Sequence, residues 1–173
     1  MRAAWARTAS GSPAWPGRPP VIAIDPLPKA RERALAFGAD FALDPAAADF
    51  AAAVDHATGG RGLDAAFDFA GVPVVRDQAA AVLGPGGVLV LAGLTPKPLT
   101  VTDSTEFCFR GNQIRGHYGS GPEHVTQLIG LASTGLLDLA PSITAHIPPA
   151  EAADAVSRLE KEIGDPIRFV LTP

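Results

Sequence analysis

The run VLVLAG, from Val88 to Gly93, carries no polar side chain, and Gly84, Pro85, Gly86 and Gly87 precede it. A segment this short and uniformly apolar reads as a strand buried on both faces of a parallel sheet. The same texture recurs upstream in alternation with helical segments. VIAID (Val21 to Asp25) is a strand, followed by a helix with Pro28 in its first turn, apolar surface at Ala34, Leu35 and Phe37, and a stop at Gly38. FALD (Phe41 to Asp44) is a second strand, and Ala46 to Thr58 a second helix closed by Gly59 and Gly60. LDAAFDFAG (Leu63 to Gly71) is a third strand, and a third helix runs from Pro73 to Leu83.

Strands that alternate with helices demand right-handed crossovers, so the fold class is α/β with a doubly wound parallel sheet. Beyond it the pattern predicts strands at Gln113 to Tyr118, Ser142 to Ile147 and Ile167 to Thr172, with helices at Glu123 to Leu136 and Ala150 to Ile163.

Composition narrows the partners. With 47% apolar residues in 173 the chain buries a core, and the formal charge of −4 offers no footprint for nucleic acid or an anionic membrane. No apolar stretch is long enough for a membrane span, and no secretory signal opens the chain. A single cysteine, Cys108, forbids an internal disulfide and a four-cysteine zinc site, which suits the cytoplasm. His56, His117, His124 and His146 fall in unrelated elements without metal-type spacing, so no metal site is assigned.

Asp25 ends its strand, and an acid at the tip of the second strand of a dinucleotide fold accepts hydrogen bonds from the adenosine ribose and repels a 2′-phosphate. An acid that merely caps the turn before Pro26 is an equally good reading of that residue alone. Lys29 and Arg31 stand where they could flank an adenosine or simply be solvated charges. The glycine fingerprint G-x-G-x-x-G that should precede the ribose acid is absent, and the pairs Gly59-Gly60 and Gly86-Gly87 follow helices rather than strands.

The runs VIAIDPLPKARERALAFGAD, ATGGRGLDAAFDFAGVP, LGPGGVLVLAGL, IRGHYGSGPEHVTQLIGLASTGLLDL and PPAEAADAVSRLEKEIGDPIRFVL stand in this order. Together they resemble the C-terminal, nucleotide-binding half of medium-chain zinc-type alcohol dehydrogenases. The resemblance implies a Rossmann-like domain and NAD as cofactor, with Asp25 as the ribose acid. It also implies that the turn Ala70, Gly71, Val72 passes the cofactor, that Ala92, Gly93, Leu94 face its nicotinamide end, and that Arg168 reaches back to the pyrophosphate. Zinc is expected only in a catalytic half that this chain does not carry. No catalytic residue is therefore assigned here.

Residues 1–20, with four prolines and two tryptophans, show neither periodicity. Read one frame over, their codons permit a fingerprint turn: the Trp5 codon forces a glycine and the Trp15 codon an alanine. We therefore expect an out-of-frame segment at 1–20, an incomplete nucleotide-binding domain at 21–140 and the family's closing segment at 141–173. In the strand order 3-2-1-4-5-6 the missing strand is central, so its loss leaves two open edges and a chain expected to be inactive alone. The full enzyme would transfer a hydride between a small-molecule alcohol or polyol and NAD. A zinc-free NADPH quinone or enoyl reductase fragment, and a non-catalytic nucleotide-binding or dimerisation module, remain as other readings. The resemblance further implies a homodimer through Gln113 to Tyr118.

Overall fold

The computed structural model describes residues 20–161 and 163–173. The expectation of an out-of-frame segment therefore falls, up to residue 19, outside the described residues. The chain divides into two compact units, Met1–Glu123 and His124–Pro173.

In the first unit β1 (Ile22–Ile24), α1 (Pro28–Ala36) and β2 (Phe41–Leu43) form a parallel crossover, with Ile22 opposite Phe41 and Ile24 opposite Leu43. The amide of Asp25 extends this ladder by donating to the Leu43 carbonyl at 3.2 Å. Ala30 and Ala34 bury one stripe of α1 while Ala23 is buried in β1, and small side chains let helix and sheet approach closely. After α2 (Phe50–Thr58) comes β3 (Leu63–Asp68), then α3 (Pro73–Ala81) and β4 (Leu83–Leu91). The unit continues with α4 (Ser104–Phe109) and β5 (Gln113–Gly116). β3, β4 and β5 form a three-stranded parallel sheet in that order, and Leu83 and Leu89 are buried in its central strand.

The α/β alternation with parallel strands is thus what the apolar runs predicted. Among the described residues no ladder joins the β1–β2 pair to the β3–β4–β5 sheet. The two are tied instead through a side chain, Gln78 of α3, whose amide donates to the Pro45 carbonyl at 2.9 Å.

Four local differences from the sequence reading have physical causes. The second helix begins at Phe50 rather than Ala46, because Asp44 Oδ1 accepts from the Ala46 amide at 2.8 Å and holds a turn there. β4 begins at Leu83 rather than Val88, since Leu83 pairs with Leu63 before a register shift between Leu63 and Ala65. α4 was not predicted, although Asp103 caps it by accepting from the Glu106 amide at 2.9 Å. The third strand is not buried on both faces: Phe67 and Phe69 are 61% and 41% exposed and stack on each other at 6.3 Å.

The second unit holds β6 (Ile143–Ile147), α6 (Ala152–Glu160) and β7 (Arg168–Leu171), with α5 (Pro122–Ser133) starting at the junction. β6 and β7 are parallel, Ile143 opposite Arg168 and Ile147 opposite Leu171. The Thr144 hydroxyl accepts from the Ile167 amide at 2.8 Å, and the Arg158 guanidinium lies 4.9 Å over the Phe169 ring. No helix among the described residues is long and apolar enough to cross a membrane.

Candidate functional site

In a parallel α/β sheet the loops at the carboxyl ends of the strands converge on one side, and ligands bind there. Seven of the residues singled out from the sequence occupy such ends, Asp25 after β1, Ala70 to Val72 after β3, and Ala92 to Leu94 after β4, whereas Lys29 and Arg31 lie on α1 and Arg168 opens β7. What holds the last two turns is a buried ion pair that the sequence reading did not name.

Asp68 is the final residue of β3, and its side chain is fully buried. Its Oδ1 accepts from the Ala70 and Gly71 amides, both at 2.9 Å, which folds the chain sharply as it leaves the strand. Its Oδ2 accepts from Arg76 Nε at 2.6 Å. Arg76 sits in α3, where Pro73 near the amino end starts the helix with its φ already set, and its side chain is 6% exposed. The Arg76 fork then reaches the other turn, Nη2 donating to the Gly93 carbonyl at 2.7 Å. The main chain completes the stitch: the Asp68 carbonyl accepts from the Ala92 and Gly93 amides at 2.9 and 2.6 Å.

Charge-assisted bonds of this length, out of water, are the strong kind, and each leaves no buried polar atom of the pair idle. The two turns consequently lie backbone to backbone. Gly71 adopts φ +67°, a conformation that L side chains rarely take, and a β-carbon there would meet the Leu94 carbonyl oxygen at 2.6 Å. Gly93 faces the Gly71 amide and the Phe69 carbonyl with the same lack of room. Leu94 is 73% exposed at the rim.

At the end of β1, Asp25 is 2% exposed, and its Oδ1 accepts from the Leu27 amide at 2.8 Å, so it closes the turn into α1. Arg31 is brought to the same place, donating from Nη1 to the Asp25 carbonyl at 2.7 Å and pairing with Asp44 at 3.2 Å. Lys29 is exposed on α1. Arg168 lies in the second unit, where its Nη1 donates to the Ser142 hydroxyl at 3.2 Å.

A cavity of about 250 Å³ lies elsewhere in the first unit, among Asp77, Leu83, Phe107 and Asn112, and includes none of the predicted site residues. Among the described residues no three His, Cys, Asp or Glu side chains converge as metal ligands. The donor set for a zinc ion is therefore not built from these residues, and no chemistry is assigned to zinc in this chain.

The sequence reading missed Asp68 and Arg76 because each looks ordinary alone, an acid in a strand and a cation on a helix. A signal was present nevertheless. An acid three residues before a turn glycine, followed by a helix-starting proline and an arginine in that helix's first turn, places the two charges at one end of a strand–helix corner.

Comparison with known proteins agrees with this architecture. The family model for the zinc-binding dehydrogenases matches residues 16–134. A protein of Mycobacterium tuberculosis that carries the name alcohol dehydrogenase D is 38% identical over 131 residues, covering 72% of this chain and 35% of its own length. L-threonine 3-dehydrogenase of Pyrococcus horikoshii is 31% identical over 132 residues, covering 74% of this chain and 37% of its own. A solved E. coli CFT073 structure, described as a short chain alcohol dehydrogenase complexed with NADH, superposes with a TM-score of 0.79 at 22% identity. It covers 89% of this chain and 44% of its own, and at that identity it establishes the shared fold. The chain thus spans little more than a third of the curated relatives' length. With the family model spanning more than half of the chain, this protein belongs to the zinc-binding dehydrogenase family.

Proposed function

We propose that this chain is the nucleotide-binding part of an NAD-dependent alcohol or polyol dehydrogenase, and that it is without dehydrogenase activity on its own. The observation that carries the reading is the stitched pair of turns after β3 and β4, held by Asp68 and Arg76 at the carboxyl ends of adjacent parallel strands. In this reading Gly71 and Val72 with Ala70, and Gly93 and Leu94 with Ala92, form the floor under the nicotinamide end. Asp25, Lys29 and Arg31 stand at the adenosine end.

Arg31 bears on the choice of dinucleotide. A 2′-phosphate needs an uncommitted cation, whereas the Arg31 guanidinium already pairs with Asp44 and the Asp25 carbonyl. NAD is accordingly the cofactor of this reading, and when bound it supplies the hydride acceptor for the alcohol. Relatives that bear the names of alcohol and threonine dehydrogenases point to a small hydroxyl-bearing substrate. The zinc of the full enzyme is held outside this chain, and the domains divide as 21–140 for the nucleotide and 141–173 for the closing segment. β5, whose outer edge bears no ladder among the described residues, is the strand through which two copies would pair.

Saturation-transfer NMR tests this because it reads weak binding. Protons of NAD⁺ should receive saturation from the chain at both the adenine and the nicotinamide ring, with NADP⁺ giving less. Absence of transfer to either ring at millimolar NAD⁺ removes the reading.

A further inference from the structure

We propose that Asp68 and Arg76 are positioning residues for the nicotinamide end of the cofactor: they act through the backbones of Gly71 and Gly93 and set the spacing of the two turns. This rests on the nucleotide-binding reading above and adds to it a pair that touches no ligand itself.

The direction of the hydrogen bonds carries the inference. Asp68 accepts from Ala70, Gly71 and Arg76 through its carboxylate, and its main-chain oxygen accepts from Ala92 and Gly93. Arg76 spends its second nitrogen on the Gly93 carbonyl. Apart from the bond between the two side chains, each of these contacts ends on one turn or the other. A buried ion pair adds little net stability compared with apolar side chains of the same volume, since desolvation of both charges offsets their attraction. Its specific contribution is geometry, because a planar guanidinium holds two acceptors at a fixed separation. Here those acceptors are the Asp68 carboxylate and the Gly93 carbonyl, one governing each turn. The glycines make the device sensitive. With no β-carbon between Gly71 and Leu94, the backbones lie against each other, and this clamp with the main-chain bonds from Asp68 sets their register.

Arg76→Lys separates positioning from folding. Lysine keeps a positive charge beside Asp68 but cannot span both acceptors as the planar fork does. Saturation transfer to NAD⁺ is recorded for the wild-type chain and for this variant, reading adenine and nicotinamide protons in the same spectrum, with circular dichroism as the fold check. The expected result is a nicotinamide signal several-fold weaker in Arg76→Lys, with the adenine signal kept. Equal signals in variant and wild type overturn the inference while leaving the nucleotide-binding reading intact. Loss of both rings together also overturns it, because the pair would then be holding the fold rather than one end of the site. If Arg76→Lys unfolds, Arg76→Gln replaces it under the same criteria. A wild-type chain that saturates neither ring removes the underlying reading, an outcome distinct from the other two.

Discussion

The backbone of Gly71 lies so close to Leu94 that a β-carbon on the former would sit 2.6 Å from the carbonyl oxygen of the latter. Two turns that leave neighbouring strands are therefore in direct main-chain contact, and the glycine is required twice, once for space and once for its φ of +67°. Gly71→Ala is expected to cost roughly 2–5 kcal/mol, the sum of left-handed strain and overpacking, read from urea denaturation. A cost under about 1 kcal/mol would mean that the turns part easily.

Gly59 provides the contrast. It also has positive φ, +62°, at the end of α2, but a β-carbon there meets nothing within 4 Å. Gly59→Ala should lose only the conformational term, about 1–2 kcal/mol by the same denaturation measurement.

Breaking the Asp68–Arg76 pair from one side leaves a charge buried without its partner. Arg76→Met is expected to destabilise the chain by about 3–5 kcal/mol, and Asp68→Asn by a comparable amount. The double variant should cost less than the two singles added together, because neither charge remains to be solvated. Strict additivity in that cycle would show that the side chains do not interact.

Asp103 caps α4 through the Glu106 amide. Asp103→Ala should lower stability by about 1 kcal/mol and speed hydrogen exchange at Glu106. Unchanged exchange at that amide would mean that the helix does not depend on its cap.

Asp44 holds Arg31 by one carboxylate oxygen and the Ala46 amide by the other. Asp44→Asn keeps the turn and weakens the hold on the guanidinium, so adenine saturation from NADP⁺ should rise relative to NAD⁺. If the ratio does not move, Arg31 is not near the adenosine end.

The sequence by itself determined the α/β alternation, because a parallel strand covered by helices must be apolar along its length, and that is a local property of runs such as VLVLAG. It also located the turns at Gly71 and Gly93, since a break in an apolar run at glycine marks where the strand ends. Local signals misled where a side chain competed with the backbone: Asp44 took the Ala46 amide and delayed α2, and the Asp103 cap, legible as an acid three residues before Glu106, started a helix in a stretch to which no element had been assigned. Tertiary structure alone decided the rest. Asp68 and Arg76 are eight residues apart, on a strand and on the following helix, a spacing no helical or strand period brings together. Only the crossover that lays α3 against the sheet turns them toward each other and toward Gly93, and burial then makes their pairing obligatory, because neither charge can be left without a partner away from water.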